Sequence, residues 1–532
     1  MNPLHYPATG PPVADLEKSG AGATNVSSRN SVEKTTLDSS CASANPPALI
    51  PVPTKLQRWN NKIESLAGLE ARGIARVLPE ERHGSSVMGY AQMAVLWFSA
   101  NVTANNLAVG LLGPLIFELG FVDSAMMATF GSLVGSIPTA YMSIWGAQSG
   151  NRTMIVARYF MGYNPAKLTC FLNMIIMVGY GTISCIISGQ LLSAVSGGSM
   201  SIVVGIIIVA LISWLIAVFG MALFHIYERW AWLPQLIVLF VLVGSAGPNF
   251  NPTLQSSGSS QAITAHRLSF FSLCLSVPLS WAGAGSDFYV YYPETTNKKL
   301  TFLMTFSGLT LSFVWVTLMG VGLGCGVNST PAWADAYNTS SGALLLAGYG
   351  GLGGVGKFCG VIVALGVISN NVPGTYAAAL GCQVLGRYGK AVPRYLWVCV
   401  VVTVYFVCAI AGRNNLFAIF QNFLALMGYW LLIFVSIVLE EHLIFKQGMG
   451  LGFDWTQWEN KKALPVGIAA LVAFLIGWAG AIIGMDQVWF VGPVAAMVGG
   501  GTGADIGIWV GSGFALIVYP PLRYLELKKF GR

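Results

Sequence analysis

WFSANVTANNLAVG, residues 97–110, is apolar enough to begin a membrane helix but places a serine, a threonine and three asparagines within eight residues. In hydrocarbon every backbone N–H and C=O must be satisfied inside the protein unless it lines a cavity, so a polar cluster at that depth marks a site or a close interhelical contact. A second stretch has the same character. SWAGAGSDF, residues 280–288, brings two glycines, two serines and an aspartate into another apolar run.

The rest of the chain sets these two interruptions in a membrane. Of 532 residues 55% are hydrophobic and 9% charged, whereas a soluble domain carries about 25% charged residues. A hydrocarbon core about 30 Å thick needs roughly 20 apolar residues per crossing. Twelve runs qualify: about 88–117, 124–147, 168–195, 202–224, 230–247, 268–292, 300–326, 355–384, 394–411, 414–439, 464–484 and 505–522. The expected fold is an all-α integral membrane protein of twelve transmembrane helices. One interruption opens the first five spans (88–247) and the other opens the next five (268–439). The separation between the first break, near 103, and the polar part of span 3 (Tyr180–Ser184) is close to that between the second, near 284, and Asn370 in span 8. Paired interruptions of this kind are the signature of an inverted repeat with a binding site at the membrane midplane. Spans 11 and 12 (464–522) follow, then a tail, 523–532.

Residues 1–87 form an N-terminal tail. Its first 54 residues are rich in Ser, Pro, Ala and Thr without apolar period, so disorder is expected there. No early apolar stretch follows a basic start, and a cleavable signal peptide is not expected. An even number of crossings puts both termini on one side. If that side is the cytosol it holds 25 of the 28 Lys and Arg residues, leaving Arg267, Lys357 and Arg413 outside, as the positive-inside rule requires. The formal net charge of +7 then reflects topology and anionic membrane lipid; nucleic acid is not an expected partner. Sequons at Asn328 and Asn338 fall in an outer loop, where glycosylation is open to them. Those at Asn25, Asn101 and Asn151 would be cytosolic or buried.

Several chemistries find no support. Eight of nine cysteines (all but Cys41) lie within the spans at irregular spacing and read as small buried hydrophobes, so neither a disulfide framework nor a metal cluster is expected. His225, His266 and His442 pair with no carboxylate at helical spacing. GLGGVGKF, residues 351–358, fits a phosphate-binding loop for seven positions but ends in Phe where Ser or Thr must hold magnesium. A channel needs a continuous polar pore and a membrane enzyme needs a catalytic constellation; the spans show neither. A secondary transporter without cofactor, driven by a coupling ion, remains.

Its ligand is suggested by ISNNVPGTY, residues 368–376, in span 8. One Asn in a membrane helix can simply hydrogen-bond a neighbour for roughly 0.6 kcal/mol. Two adjacent amides point about 100° apart, so one can face a cavity while the other braces a helix, and Pro373 removes a backbone donor beside them. A carboxamide presents donor and acceptor side by side, matching the edge of a nucleobase. Flat heterocycles also stack on aromatic rings, and Trp281 and Tyr180 lie beside the break in span 6 and in span 3.

EARGIARVLPEER (70–82), GNRTMIVARYFMG (150–162), YERWAWLP (227–234), SWAGAGSDF, SNNVPGTY and QNFLALMGYW (421–430) together resemble the nucleobase-cation-symport-1 family, in particular its fungal purine-cytosine permease branch, from about residue 60 to the C-terminus. The resemblance implies a leucine-transporter-like fold of ten core helices plus two, and proton-driven uptake of cytosine, adenine, guanine or hypoxanthine at the plasma membrane. It makes Trp281 a stacking platform, gives Asn370, Asn371 and Pro373 substrate recognition and helix geometry, and makes Ser99 and Asn101 specificity elements beside Tyr180 and Ser184. Tyr180 stands where the family usually has Trp. Sodium-coupled relatives carry adjacent hydroxyls shortly before the recognition Asn, where this chain has Ala364, Leu365 and Gly366; protons are therefore expected as coupling ion. Asp287, well inside span 6, is either the proton carrier or the N-cap of that span's second half. Pyridoxine or thiamine, or an amino acid, is the alternative substrate, and the oligomeric state is open.

Overall fold

A computed structural model describes residues 73–82, 87–219 and 221–532; the tail expected to be disordered, 1–54, lies outside them. Each of the twelve apolar runs falls on a helix or a broken helix. Span 1 is two helices, Val87–Asn101 and Ala104–Leu115, bent by 57° at Val102 and Thr103. Spans 2 to 5 are Phe121–Ser149, Pro165–Val195, Ile202–Phe219 and Met221–Ala246. Span 6 is Ser260–Leu279 followed by two single 3-10 turns, Ser280–Gly283 and Gly285–Phe288. Span 7 is Lys298–Gly326, span 8 is Gly353–Gly366 joined to Ile368–Val384, span 9 is Arg394–Gly412 and span 10 is Leu416–Glu440. Spans 11 and 12 are Ile468–Gly484 and Gly507–Phe530. Among these helices seven are long and apolar enough to cross a membrane by length and composition, eight with the bent pair. Spans 4 and 11 are shorter apolar helices, and span 2 carries Ser132, Ser136, Thr139 and Ser143 buried against other helices.

The contacts between spans repeat. Span 2 packs on span 6 as span 7 packs on span 1, and span 3 packs on span 9 as span 8 packs on span 4; spans 2 and 7, 3 and 8, and 4 and 9 also touch. Exchanging each of spans 1–4 with the span five places later maps this pattern onto itself. Because each half contains an odd number of crossings, the second copy enters the membrane from the opposite face, which makes the repeat inverted. The chain is a mostly helical, leucine-transporter-like 5+5 bundle with two further helices.

Lipid supplies no hydrophobic drive between helices, so small residues and close backbone approach hold such a bundle together. At the crossing of spans 1 and 7 a Cβ on Gly110 would strike the backbone of Thr317 and Val321, and one on Gly320 the Leu107 carbonyl. The repeat-related crossing of spans 2 and 6 is built the same way, with Gly135 against the Leu275 carbonyl. Thr139 then donates to the Pro278 carbonyl at 2.7 Å, where span 6 leaves the α-helix. These two crossings fix where the breaks sit.

Gly320→Val should therefore cost about 1–3 kcal/mol by overpacking and lower the melting temperature of the detergent-solubilised protein. Gly351→Ala, whose Cβ would meet open space, should leave it unchanged.

Candidate functional site

The break in span 1 frees carbonyls at the end of its first half, and side-chain amides meet them. Asn101 Nδ2 donates to the Trp97 carbonyl at 2.8 Å, Asn106 Nδ2 to that of Asn101 at 2.6 Å, and Asn370 Nδ2 to that of Ala100 at 2.9 Å. Thr103 is extended (φ −136°, ψ 160°), which turns the chain into the second half. Asn101 also accepts from the indole of Trp281 at 2.9 Å. Asn101 thus joins span 1 to span 6, while Asn370 joins it to span 8.

These groups surround a cavity of about 290 Å3. Asn101 and Asn106 come from span 1, Met177 and Tyr180 from span 3, Val277, Ser280 and Trp281 from span 6, Phe313 from span 7, and Asn370 and Gly374 from span 8. The lining holds no acid, Lys, Arg or His. Trp281 is 5% exposed and set edge-on against Trp97 (5.7 Å between ring centroids) and Phe288 (6.2 Å), which fixes its plane. Tyr180 packs edge-on against Phe423, and its buried hydroxyl has no hydrogen-bond partner. The lining therefore offers indole and phenyl faces, carboxamides and one free hydroxyl.

Of the residues singled out in the sequence, Asn101, Tyr180, Trp281 and Asn370 meet at this cavity. Asn371 turns away: its amide donates to Ser213 of span 4 at 3.1 Å and to Tyr405 of span 9 at 3.4 Å. Ser184 accepts from Asn105 at 2.7 Å and ties span 3 to span 1. Ser99 lies behind the break, its carbonyl reached by Ser369 at 3.5 Å and its hydroxyl unpartnered. Pro373 sits inside the helix Ile368–Val384, one residue before the cavity-lining Gly374.

Asp287 differs from both readings placed on it. Span 6 does not resume as a long helix after its break, so Asp287 caps no second half. Its Oδ1 instead accepts from the amide (2.6 Å) and hydroxyl (2.9 Å) of Thr153, at the start of the short helix Thr153–Val156, whose first residue follows an Arg with no acceptor to offer. Arg152 donates to the Asp287 carbonyl at 2.9 Å. The carboxylate thus caps a neighbouring helix with a guanidinium beside it. Sequence reasoning could not assign this, because the helix it caps lies 134 residues away along the chain.

Asn106, Ser280, Phe313 and Met177 line the cavity without having been singled out. Asn106 and Ser280 lie in the two broken stretches and were legible there. Phe313 and Met177 are apolar residues in apolar spans and carry no signal. Asn173 of span 3 was also missed: it is 3% exposed, its Oδ1 is unpartnered, and a Cβ on Gly283 would collide with it.

Residues 77–504 match the family model described as permease for cytosine/purines, uracil, thiamine and allantoin. The vitamin B6 transporter TPN1 of Saccharomyces cerevisiae is 32% identical, the match covering 89% of this chain and 90% of that protein. The purine-cytosine permease fcyB of Emericella nidulans is 34% identical, over 88% and 92%. Among solved structures, Mhp1, a nucleobase-cation-symport-1 family transporter in a closed conformation with bromovinylhydantoin bound, superposes with TM-score 0.62 at 12% identity, over 86% of this chain and 96% of that one. That likeness is one of fold.

The two adjacent amides should separate experimentally. Asn370→Ala should weaken substrate binding by about 1–3 kcal/mol with little change in melting temperature beyond the lost Ala100 contact, whereas Asn371→Ala should lower the melting temperature and leave the apparent Km of the folded fraction near wild type. For Asp287, an Asn keeps the acceptor for Thr153, so Asp287→Asn should retain concentrative uptake while Asp287→Ala should cost about 1–2 kcal/mol of stability; loss of accumulation in a well-folded Asp287→Asn protein would restore it as a proton carrier.

Proposed function

The chain belongs to the family of permeases for cytosine/purines, uracil, thiamine and allantoin, and from that premise we propose that it imports cytosine and the purine nucleobases adenine, guanine and hypoxanthine by proton symport with alternating access. The observation that carries the substrate class is the charge-free cavity where the broken spans meet, walled by Trp281 and Phe313 and edged by Asn101, Asn106 and Asn370. A charged group moved there from water would lose its hydration without a counter-ion, at a cost of several kcal/mol. A zwitterionic amino acid is disfavoured on that ground. A neutral ring keeps its hydrogen bonds through the amides and gains roughly 1–3 kcal/mol per stacked face.

The lining supports uptake of a ring thin enough to lie against the indole. Tyr180 supplies a hydroxyl that is buried and unpartnered, so a ligand donor or acceptor at that edge would satisfy it. Proton coupling is supported by the apolar Ala364–Leu365–Gly366 stretch, which offers no side-chain hydroxyl for a sodium ion. A plasma-membrane protein with both termini cytosolic is the topology that the distribution of Lys and Arg supports.

A second reading has its own observation. Vitamin B6 in its pyridoxine form is likewise a neutral, planar nitrogen heterocycle, and a relative named as its transporter matches this chain over nearly its full length at 32% identity. The two readings part on hydrogen-bond pattern: a nucleobase presents an amide or amidine edge to Asn370, pyridoxine three hydroxyls.

Competition decides between them. Uptake of radiolabelled cytosine should saturate, be suppressed by excess adenine, and be indifferent to equal pyridoxine; transport of labelled pyridoxine with no uptake of cytosine would overturn the nucleobase reading in favour of the second.

A further inference from the structure

A larger cavity, about 840 Å3, lies at the far end of span 6, between that span, the end of span 1, span 10 and the connection from span 11 to span 12. On the topology proposed above it faces the outside. Ser272 and Ser276 of span 6 line it, and one turn further on the same helix Ser280 and Trp281 line the central cavity. The outer cavity is the mouth of the central site.

The mouth is fastened at Asp505, which is 6% exposed. Its Oδ2 accepts from the hydroxyl of Tyr429 in span 10 and from Nε2 of Gln487 in the connection, each at 2.5 Å, and its Oδ1 from the amide of Gly507 at 3.1 Å. Its own amide donates to Ser269 of span 6 at 2.9 Å. One carboxyl therefore joins span 6, span 10 and the span 11–12 connection across the opening. The charged and titratable groups facing it are Asp486, His266 and Tyr429; Arg267, beside His266, is paired with Asp123 at 2.8 Å. Among the described residues no Lys or Arg neutralises Asp505. Gln487, 4% exposed, also lines the cavity, and its Oε1 has no donor.

We propose that Asp505 is the proton-binding group of the outer mouth, and that the mouth closes over the central site only when this carboxyl carries a proton. Closing takes a carboxylate out of water without giving it a cation, which is unfavourable. Taking one proton from hydronium in the cavity, and leaving water, removes the charge. The acid so formed is a donor, and Gln487 offers the unfilled acceptor once its amide rotates. Burial raises the Asp505 carboxyl to about 7, hydrogen bonds from Tyr429 and Gly507 opposing and the nearby Asp486 adding; in an open, hydrated mouth it returns toward the ordinary value of about 4. The conformation with the higher pKa is the one that protons stabilise. Acid on the outer side therefore favours closure, and the ionised carboxylate favours the open mouth. In uptake this deepens the proton-symport reading and rests on it, because the proton must then leave inward; the gate itself does not.

The experiment reads the mouth without a substrate. A Ser272→Cys reporter, in a background lacking reactive native cysteines, is labelled from outside with a membrane-impermeant maleimide in proteoliposomes, with rates corrected for the thiolate fraction. Between an outer pH of about 8 and about 6 the ratio of closed to open mouth should rise about tenfold, and labelling should slow accordingly. Asp505→Asn, a fixed neutral mimic, should label slowly at every pH. Tyr429→Phe removes a donor to the ionised form and should move the midpoint up by about half a unit to one unit; it carries the test if the Asn variant fails to fold. A wild-type pH response in Asp505→Asn, or an unmoved midpoint in Tyr429→Phe, would overturn the proposal. Accumulation of labelled cytosine under an inward proton gradient, measured alongside, tests symport separately: wild-type uptake indifferent to the gradient sinks that reading while the labelling still decides the gate, and gradient-driven accumulation that survives in Asp505→Asn sinks the gate alone.

Discussion

The carbonyls of Trp97, Ala100 and Asn101 are the groups on which the rest of this molecule turns. At the end of a helix that stops inside a membrane they have neither a following turn nor water to donate to them, and each left bare would cost several kcal/mol. The chain meets them with the amides of Asn101, Asn106 and Asn370. Because Asn370 belongs to the second repeat, the hydrogen bond that makes the break tolerable also fastens one half of the protein to the other. A cavity beside that bond can change shape only when the halves move against each other, which is what alternating access requires.

The outline of this arrangement was readable from residue types alone. Apolar runs and the positions of Lys and Arg gave twelve crossings, and two polar clusters at matching places gave the repeat, because both signals are local and both follow from the cost of polar groups in hydrocarbon. The roles of Asn370 and Asn371 also follow locally, since adjacent side chains on a helix point in different directions. Tertiary partners were not readable. Ser184 sits one turn from Tyr180, yet Asn105 occupies it; Asp287 looks like a cap for its own helix, yet Thr153 claims it. Asp505 stood at the edge of the last apolar run, where an acid is unremarkable, and only the folding of spans 6 and 10 and the span 11–12 connection around it makes it a buried carboxyl.

The glycines at the two repeat-related crossings complete the picture. Gly110 against Thr317 and Gly135 against Leu275 let span 1 approach span 7, and span 2 approach span 6, closely enough to hold each broken helix rigid on one side of its break. The opposite side faces spans 3 and 8, where the contacts are longer side chains: Tyr180, Met177, Asn370. A bundle rigid on one side and cushioned on the other concentrates motion at the cavity. Charge is kept out of that cavity and placed at its margins, Asp287 held by Thr153 beside Arg152, and Asp505 beneath the outer mouth.

The account stands or falls on where the ligand ring lies, and the most direct measurement is an electron cryomicroscopy map of the purified transporter with cytosine. Density for a flat ring against Trp281, its polar edge within hydrogen-bond distance of Asn370 and Tyr180 at its rim, is the predicted result. Saturating ligand resolved elsewhere, with the indole of Trp281 still closed on Asn101 and the cavity unchanged, would contradict it.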